Sequence, residues 1–402
     1  MQSLNTEFLK LIFARLMHMK TLSITIISFL IFYFSSPKSL NNTNDFDEKT
    51  NDSTLIASIF PLKLGKVSED YFIEKSTKVD SFYNKFIGTT GFSGSFLVTK
   101  NGKIISEKYQ GYANQKTKEL ITANTPLHLA SVSKVLTATA VLKLVENDNV
   151  MLDQKVTDWL PKFPYKSTTI RTLLNHRSGL QHYSRFPELL KTAWNKKKIL
   201  TNQDILDLLA KHKFKLLTPN DTRFDYCNTN YVILALIIEK ATGLSYGKAI
   251  NELIFKPLEM KNTFVFDYFR DKDTVSLSYR KGGMNPWDQF DNLNGDKNIY
   301  STPRDLVKFD LATYSPDFIN PEVLKEAYSS YSPNLLKHKK DYGLGLRMKQ
   351  LPNGENLWYH NGWWHGNTSS FIPMKKDTVT IICLSNVYTT RTYETMKLAE
   401  IY

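Results

Sequence analysis

Ser131-Val132-Ser133-Lys134 places a serine three residues before a lysine, at the head of the run KVLTATAVLKLVE, whose apolar residues recur at helical spacing. On a helix, positions i and i+3 are neighbours, so the Ser131 hydroxyl and the Lys134 amine are expected side by side. A serine hydroxyl becomes a useful nucleophile when a base takes its proton, and a lysine can serve once burial and nearby cations lower its pKa. The start of a helix adds backbone N–H groups that favour developing negative charge. One turn of chain could thus supply nucleophile, base and part of an oxyanion site.

Ser-x-x-Lys also occurs at Ser35, Ser245 and Ser278. Ser131 differs in leading directly into a long amphipathic pattern, with Leu136, Ala140, Val141 and Leu144 placed to face a core. The competing reading of Ser131 is a helix N-cap serine, a common role for that residue type.

Two further elements follow in order: Tyr226-Cys227-Asn228, within FDYCNTNYVILALIIEKATG, and His360-Asn361-Gly362. Together with LASVSKVLTATAVLKLVE they resemble the serine β-lactamase and penicillin-binding protein superfamily, in particular its class C-like branch. That branch contains β-lactamases, D-Ala-D-Ala peptidases, D-aminopeptidases and esterases. LLNHRSGL from Leu173, IYSTPRDLVKF from Ile299 and YGLGL from Tyr342 add to the likeness, which covers about Ser81 to Leu384. A second Tyr-x-Asn, at Tyr112, precedes the nucleophile and is out of order.

The resemblance implies a mechanism. Ser131 attacks a carbonyl carbon to form an acyl-enzyme, while Lys134 and Tyr226 exchange the proton, a phenolate being favoured beside an ammonium. Asn228 offers an amide to hold both Lys134 and a substrate carbonyl. His360 lines the site from a strand edge, Gly362 lets the backbone approach the substrate, and the Trp363 N–H joins that of Ser131 as the oxyanion hole. Water then releases the acid. His360 stands where penicillin-recognising members usually carry Lys, so a permanent cation is replaced by a group that can be neutral at pH 7. Trp363, Trp364 and His365 follow it, either as aromatic lining of the pocket or, for the tryptophans, as core packing.

Other chemistries lack their residues. His176/His182 and His360/His365 do not have the i, i+4 spacing with an acidic neighbour of zinc hydrolases, so no metal is expected. Gly-x-Ser-x-Gly, Lys-Thr-Gly, Ser-Asp-Asn, a phosphate loop and a dinucleotide fingerprint are absent from the sequence, and no cofactor is expected. The alternative to a hydrolase is a binding module of the same fold for cell-wall peptides.

The supporting elements fit that chemistry. The chain has 402 residues, 42% hydrophobic and 23% charged, which excludes collagen-like, largely disordered and multi-span membrane chains. Its net charge of +13 permits an anionic partner, but the lysines are scattered and no nucleic-acid motif accompanies them. Two cysteines, Cys227 and Cys383, allow at most one bridge. Lys10, Arg15 and Lys20 precede the uncharged run 21–34, so residues 1–36 read as an export signal or membrane anchor. The run of 14 residues is short for a spanning helix, and both a cleaved signal and a retained anchor fit. Residues 37–54 are a polar linker, and 55–402 form the hydrolase domain. Strands are predicted over 94–98, 103–109 and 378–384, and helices over 134–146, 201–211, 230–242 and 303–312. The fold class is therefore α+β: an antiparallel sheet flanked by helices, with an inserted mainly helical subdomain. A peptide or small-molecule substrate is the expected partner, and sequence does not indicate an oligomeric state.

Overall fold

Asn101 and Gly102 turn the chain between β1 (Gly94–Lys100) and β2 (Lys103–Gln110), both at positive φ, 52° and 78°. This is the backbone that an Asn-Gly hairpin requires. The computed structural model describes residues 55–191, 194–280, 283–336 and 338–402; the N-terminal export segment and the polar linker lie outside the described residues.

Five further strands join the hairpin: β3 (Lys340–Tyr342), β4 (Arg347–Gln350), β5 (Asn356–Trp364), β6 (Asn367–Met374) and β7 (Val379–Ser385). The seven-stranded order is β3-β4-β5-β6-β7-β1-β2, and every neighbouring pair is antiparallel. β1 pairs with β7 from Gly94↔Ser385 to Lys100↔Val379, so an early and a late strand of the described chain meet inside the sheet.

Strand alternation divides the central sheet between two cores. Phe96, Val98, Ile381 and Cys383 pack on one face with Val79 and Phe82 of α1 (Glu69–Phe82) and with Leu398 near the C-terminus. Leu97, Ile382, Leu384 and Phe371 point the other way, toward Val135 and Leu136 of α2 (Ser133–Glu146) and other helical residues. Both faces are covered, which explains why TVTIICL reads as a continuous apolar run.

The inserted helices lie between β2 and β3, and their ends follow local capping chemistry. Thr201 accepts from the Asp204 N–H and caps α3 (Asn202–His212), and the aspartate side chain returns the bond in a capping box. The apolar α4 (Asn228–Thr242) ends at Gly243, in the left-handed conformation. α5 (Pro303–Ala312) has the bounds expected from Thr302 and Pro303, with Thr302 accepting from the Asp305 N–H. Cys227 and Cys383 are both buried and free.

The β5–β6 turn holds one strained residue. Trp364 pairs with Asn367, leaving His365 and Gly366 as the turn, and His365 has a φ of 52°. Asp291, 1% exposed, anchors it: its Oδ1 accepts from Trp364 Nε1 at 2.7 Å and lies 2.9 Å from His365 Nε2. Burial opposes a charge on His365, but the hydrogen bond and charge of Asp291, aided by Asp288, prevail and raise its pKa. A folded-state pKa raised above the unfolded value of about 6.5 gives stabilisation that is complete below that pH and lost as pH rises through the folded value. His365→Asn should therefore lower the melting temperature by a few degrees at pH 5.5 and by less at pH 9. An equal loss at both pH values, measured by thermal unfolding, would show that no charge-linked stability resides in the pair.

Candidate active site

Ser131 does not sit in an α-helix. It occupies a single 3₁₀ turn, Ala130–Val132, and α2 begins two residues later with Val132 as its cap and no side-chain capping bond. The N-cap reading of Ser131 is thereby excluded. The expected pairing with Lys134 survives because a 3₁₀ turn also brings i and i+3 into line. Ala130 just before it has a φ of 47°, a strained conformation for a residue with a Cβ. Its N–H donates to His128 Nδ1 at 3.0 Å, and burial lowers the His128 pKa to about 4. The neutral ring must then carry its proton on Nε2, which faces Asn298 Oδ1 at 2.9 Å. The carbonyl of Leu129 accepts from Ser369 Oγ of β6 at 2.6 Å, tying the same turn to the sheet.

Lys134 is fully buried. Its Nζ donates to Ser131 Oγ at 3.1 Å and to the Asp296 carbonyl at 2.7 Å. The same Nζ lies 5.2 Å from the ring centre of Tyr226 and 5.5 Å from that of Tyr231. The expectation that Asn228 holds Lys134 is not met by a described hydrogen bond: the Asp296 carbonyl accepts from Nζ, and Asn228 Oδ1 is buried without a partner. Asn228, the first residue of α4, instead directs Nδ2 to the Tyr183 hydroxyl at 3.5 Å. Tyr183 donates to Asp296 Oδ2 at 2.7 Å and accepts from Lys297 Nζ at 3.0 Å. Asp296 thus serves the base with its backbone and the neighbourhood of Asn228 with its side chain.

Tyr226 lies just before α4, where several rings and cations converge. Its ring centre is 4.3 Å from that of His176 and 6.2 Å from that of His360, with the Arg347 guanidinium 4.5 Å away. His176 is in a turn, as expected, with a φ of 58° and Nδ1 accepting from the Cys227 N–H at 3.1 Å. That bond fixes the segment carrying Tyr226 and Asn228.

β5 supplies the opposite wall. Its pairing with β4 ends at Arg347↔Tyr359, while pairing with β6 continues from His360↔Phe371 to Trp364↔Asn367. The edge of β5 from His360 onward is thus released from β4. His360 is on this strand, but its ring is fully buried. Nδ1 lies 2.8 Å from the Asn361 carbonyl, which can only accept, so Nδ1 carries the proton and Nε2 accepts from the Tyr342 hydroxyl at 3.1 Å. Burial first, then the charges of Arg347 and Lys134, hold the His360 pKa well below its ordinary value. It is a neutral histidine at pH 7.

Gly362 brings β5 against the nucleophile. A Cβ there would lie 2.3 Å from Ser369 Oγ, 2.6 Å from the Leu129 carbonyl and 2.9 Å from the Ser131 nitrogen. No larger residue allows this approach without a shift of backbone. Of the paired tryptophans, Trp363 is 54% exposed and is not core, whereas Trp364 is half-buried and bonded to Asp291. Asp296, Tyr183, Tyr342 and Arg347 were not assigned roles from sequence. Tyr342 is the first residue of YGLGL, which the sequence offered only as added likeness to the family, and Arg347 follows that segment directly.

A model of the Beta-lactamase family matches residues 83–401. The chain is 34% identical over 321 residues to penicillin-binding protein 4* of Bacillus subtilis, a match covering 75% of this chain and 70% of that protein. It is 29% identical over 289 residues to a D-aminopeptidase of Brucella anthropi, covering 69% of this chain and 52% of that longer protein. A penicillin binding protein from Bacillus halodurans superposes with a TM-score of 0.67 at 22% identity, over 84% of this chain and 99% of that one. D-amino acid amidase from Ochrobactrum anthropi SV3 gives 0.63 at 23% identity, over 81% and 99%. These likenesses between structures show a shared fold, an antiparallel sheet with flanking helices. With its extensive match to the family model, the chain belongs to the Beta-lactamase family of serine hydrolases.

Proposed function

We propose that the protein cleaves an amide or ester bond through an acyl-enzyme on Ser131, with amides of D-amino acids or short peptides as the leading substrate class. The observation that carries this reading is the buried Lys134 Nζ at 3.1 Å from Ser131 Oγ. A lysine so placed can take the serine proton as the oxygen attacks, and Tyr226, beside it, can relay that proton to the leaving group. Ser131 N–H and Trp363 N–H would receive the oxyanion, with Gly362 allowing the two strands of backbone to close. Asn228 would orient the substrate amide. The relatives named D-aminopeptidase and D-amino acid amidase support amide cleavage.

The neutral His360 supports substrates that need no permanent cation at that position, and so favours peptidase, amidase or esterase chemistry over β-lactam hydrolysis. The basic and apolar residues 1–36 support export, as a cleaved signal or a membrane anchor. A non-catalytic module for cell-wall peptides would have no need of the Ser131, Lys134 and Tyr226 arrangement.

Turnover of a D-amino-acid amide, a D-Ala-D-Ala peptide, a short-chain nitrophenyl ester and a chromogenic cephalosporin should depend on Ser131. Ser131→Ala is expected to lower kcat at least about 10³-fold with the melting temperature little changed. Mass spectrometry of the trapped wild-type protein should find the acyl group on the Ser131 peptide, and a label elsewhere would remove Ser131 from the mechanism. Gly362→Ala should cost about 10² or more in kcat, because its Cβ meets the Ser131 nitrogen and disturbs the oxyanion donors. Retention of wild-type kcat would place the oxyanion site elsewhere.

The pH dependence offers a separate check. Since burial keeps His360 neutral, kcat/KM for an uncharged ester should show no inflection from this residue between pH 6 and 8. His360→Gln should lower the profile without changing its shape. Disappearance of an inflection near pH 6.5 in that variant would mean that His360 titrates in the working enzyme.

A further inference from the structure

A second lysine is enclosed close to Lys134. Lys297 is 2% exposed, and its Nζ donates to the Tyr183 hydroxyl at 3.0 Å and lies 3.6 Å from Asp296 Oδ1. The rings of Trp364 and Tyr183 flank the same Nζ, with centres at 4.4 Å and 5.1 Å. Burial lowers the Lys297 pKa, while Asp296, then Asp291 and Asp288, favour its charged form. The acyl transfer assigned to Ser131, Lys134 and Tyr226 makes no use of this cation.

Asp296 connects Lys297 to the chemistry. Its backbone carbonyl accepts from Lys134 Nζ at 2.7 Å, so the carboxylate of the same residue is a charge tethered beside the base. Oδ2 accepts from Tyr183 at 2.7 Å, but Oδ1 has no hydrogen-bond partner among the described residues. A buried carboxylate oxygen left unfilled is costly and is drawn to an ammonium. Pairing with Lys134 would hold the lysine proton and hinder that group from taking the proton of Ser131. The observed pairing is with Lys297, and Lys134 bonds only to a hydroxyl and a carbonyl among the described residues. Tyr183 is itself fixed to α4, its N–H donating to Thr229 Oγ1 at 2.8 Å and Thr229 donating to the Gln181 carbonyl at 2.8 Å.

The remaining groups about Lys134 supply no competing anion. His176, His182 and His360 are held neutral by burial, Tyr226 and Tyr231 present ring faces, and the Arg347 guanidinium lies beyond Tyr226. Asp288 and Asp291 act on Lys297 and His365. We infer that Lys297 is a positioning residue for the reaction: with Tyr183 it keeps the Asp296 carboxylate away from Lys134, so that the base is held by a carbonyl and not by an ion pair. This deepens the serine hydrolase reading above and rests on its use of Lys134 as the base.

Lys297→Met should lower kcat/KM about tenfold or more and move the acid limb of its pH profile upward by about one unit, because the freed carboxylate pairs with Lys134 and keeps it protonated. Tyr183→Phe, which keeps the ring and removes the other restraint on the carboxylate, should shift the limb the same way by less. Lys297→Arg should keep the wild-type limb. Made on Asp296→Asn, where no carboxylate remains, Lys297→Met should cost less than about threefold and leave the limb in place. Equal losses on the two backgrounds, or an unshifted limb in both Lys297→Met and Tyr183→Phe, would overturn the role, since a loss of packing is not cancelled by Asp296→Asn. The crystal structure of Lys297→Met reads the same point without turnover: the Asp296 carboxylate is expected within ion-pair distance of Lys134 Nζ, and a carboxylate still held by Tyr183 alone would overturn the role. Should Lys297→Met not fold, Tyr183→Phe carries both measurements. Turnover that survives Ser131→Ala would sink the hydrolase reading, and the crystal structure then still decides where the carboxylate goes.

Discussion

An amine enclosed on all sides, with no carboxylate in ion-pair contact among the described residues, is the constraint around which this structure is organised. Lys134 is fully enclosed, and its described hydrogen-bond partners are a hydroxyl and a backbone carbonyl. Enclosing so polar a group is costly, and the cost falls when the nearby dipoles and rings are well placed. The Asp296 carbonyl and the faces of Tyr226 and Tyr231 provide that surrounding. A carboxylate in contact would stabilise the charged form and make the lysine a poorer base. The arrangement keeps the amine 3.1 Å from the nucleophile, held by the Asp296 carbonyl.

Several parts of the fold follow from holding that group still. α2 carries Lys134 across the helical side of the sheet, and β6 fixes the turn before it through Ser369. The segment before α4 is pinned by His176, and the segment before Ile299 closes over Lys134 through Asp296. Helical and sheet layers thus each contribute one wall, and the nucleophile turn lies between them. His128, His176 and His360 are all neutral by burial and act as oriented donors or acceptors rather than as charges.

Much of this was legible in the sequence wherever residue type carried the signal. The cap at Thr302 with Pro303 marked α5 to the residue, and Asn101-Gly102 marked the hairpin. Ser131, Lys134, Tyr226, Asn228, His360 and Gly362 were visible as ordered motifs, and the structure gathers them in one region. What was not legible depended on backbone and on tertiary contact. The Asp296 carbonyl has no residue-type signature, because any amino acid offers the same oxygen. The 3₁₀ turn at Ser131 and the α-helix expected there share one local pattern and differ only in hydrogen-bond register. Burial of His360 depends on Tyr342 and the strand beside it, which spacing along the chain does not reveal. Arg347 follows YGLGL in the sequence and carried no signal of its own.

The pairing of β1 with β7 has a consequence for when the protein can act. The Ser131 turn is steadied by Ser369 on β6, and β6 in turn needs β7 on its other side, at residues 379–385. Those residues emerge late in synthesis, long after the nucleophile, base and helical insertion have been made. A partly made chain holds the reactive side chains without the wall that completes the site. Completion of the site is thereby deferred until β7 has paired with β6 and β1, a delay set by the order of strands.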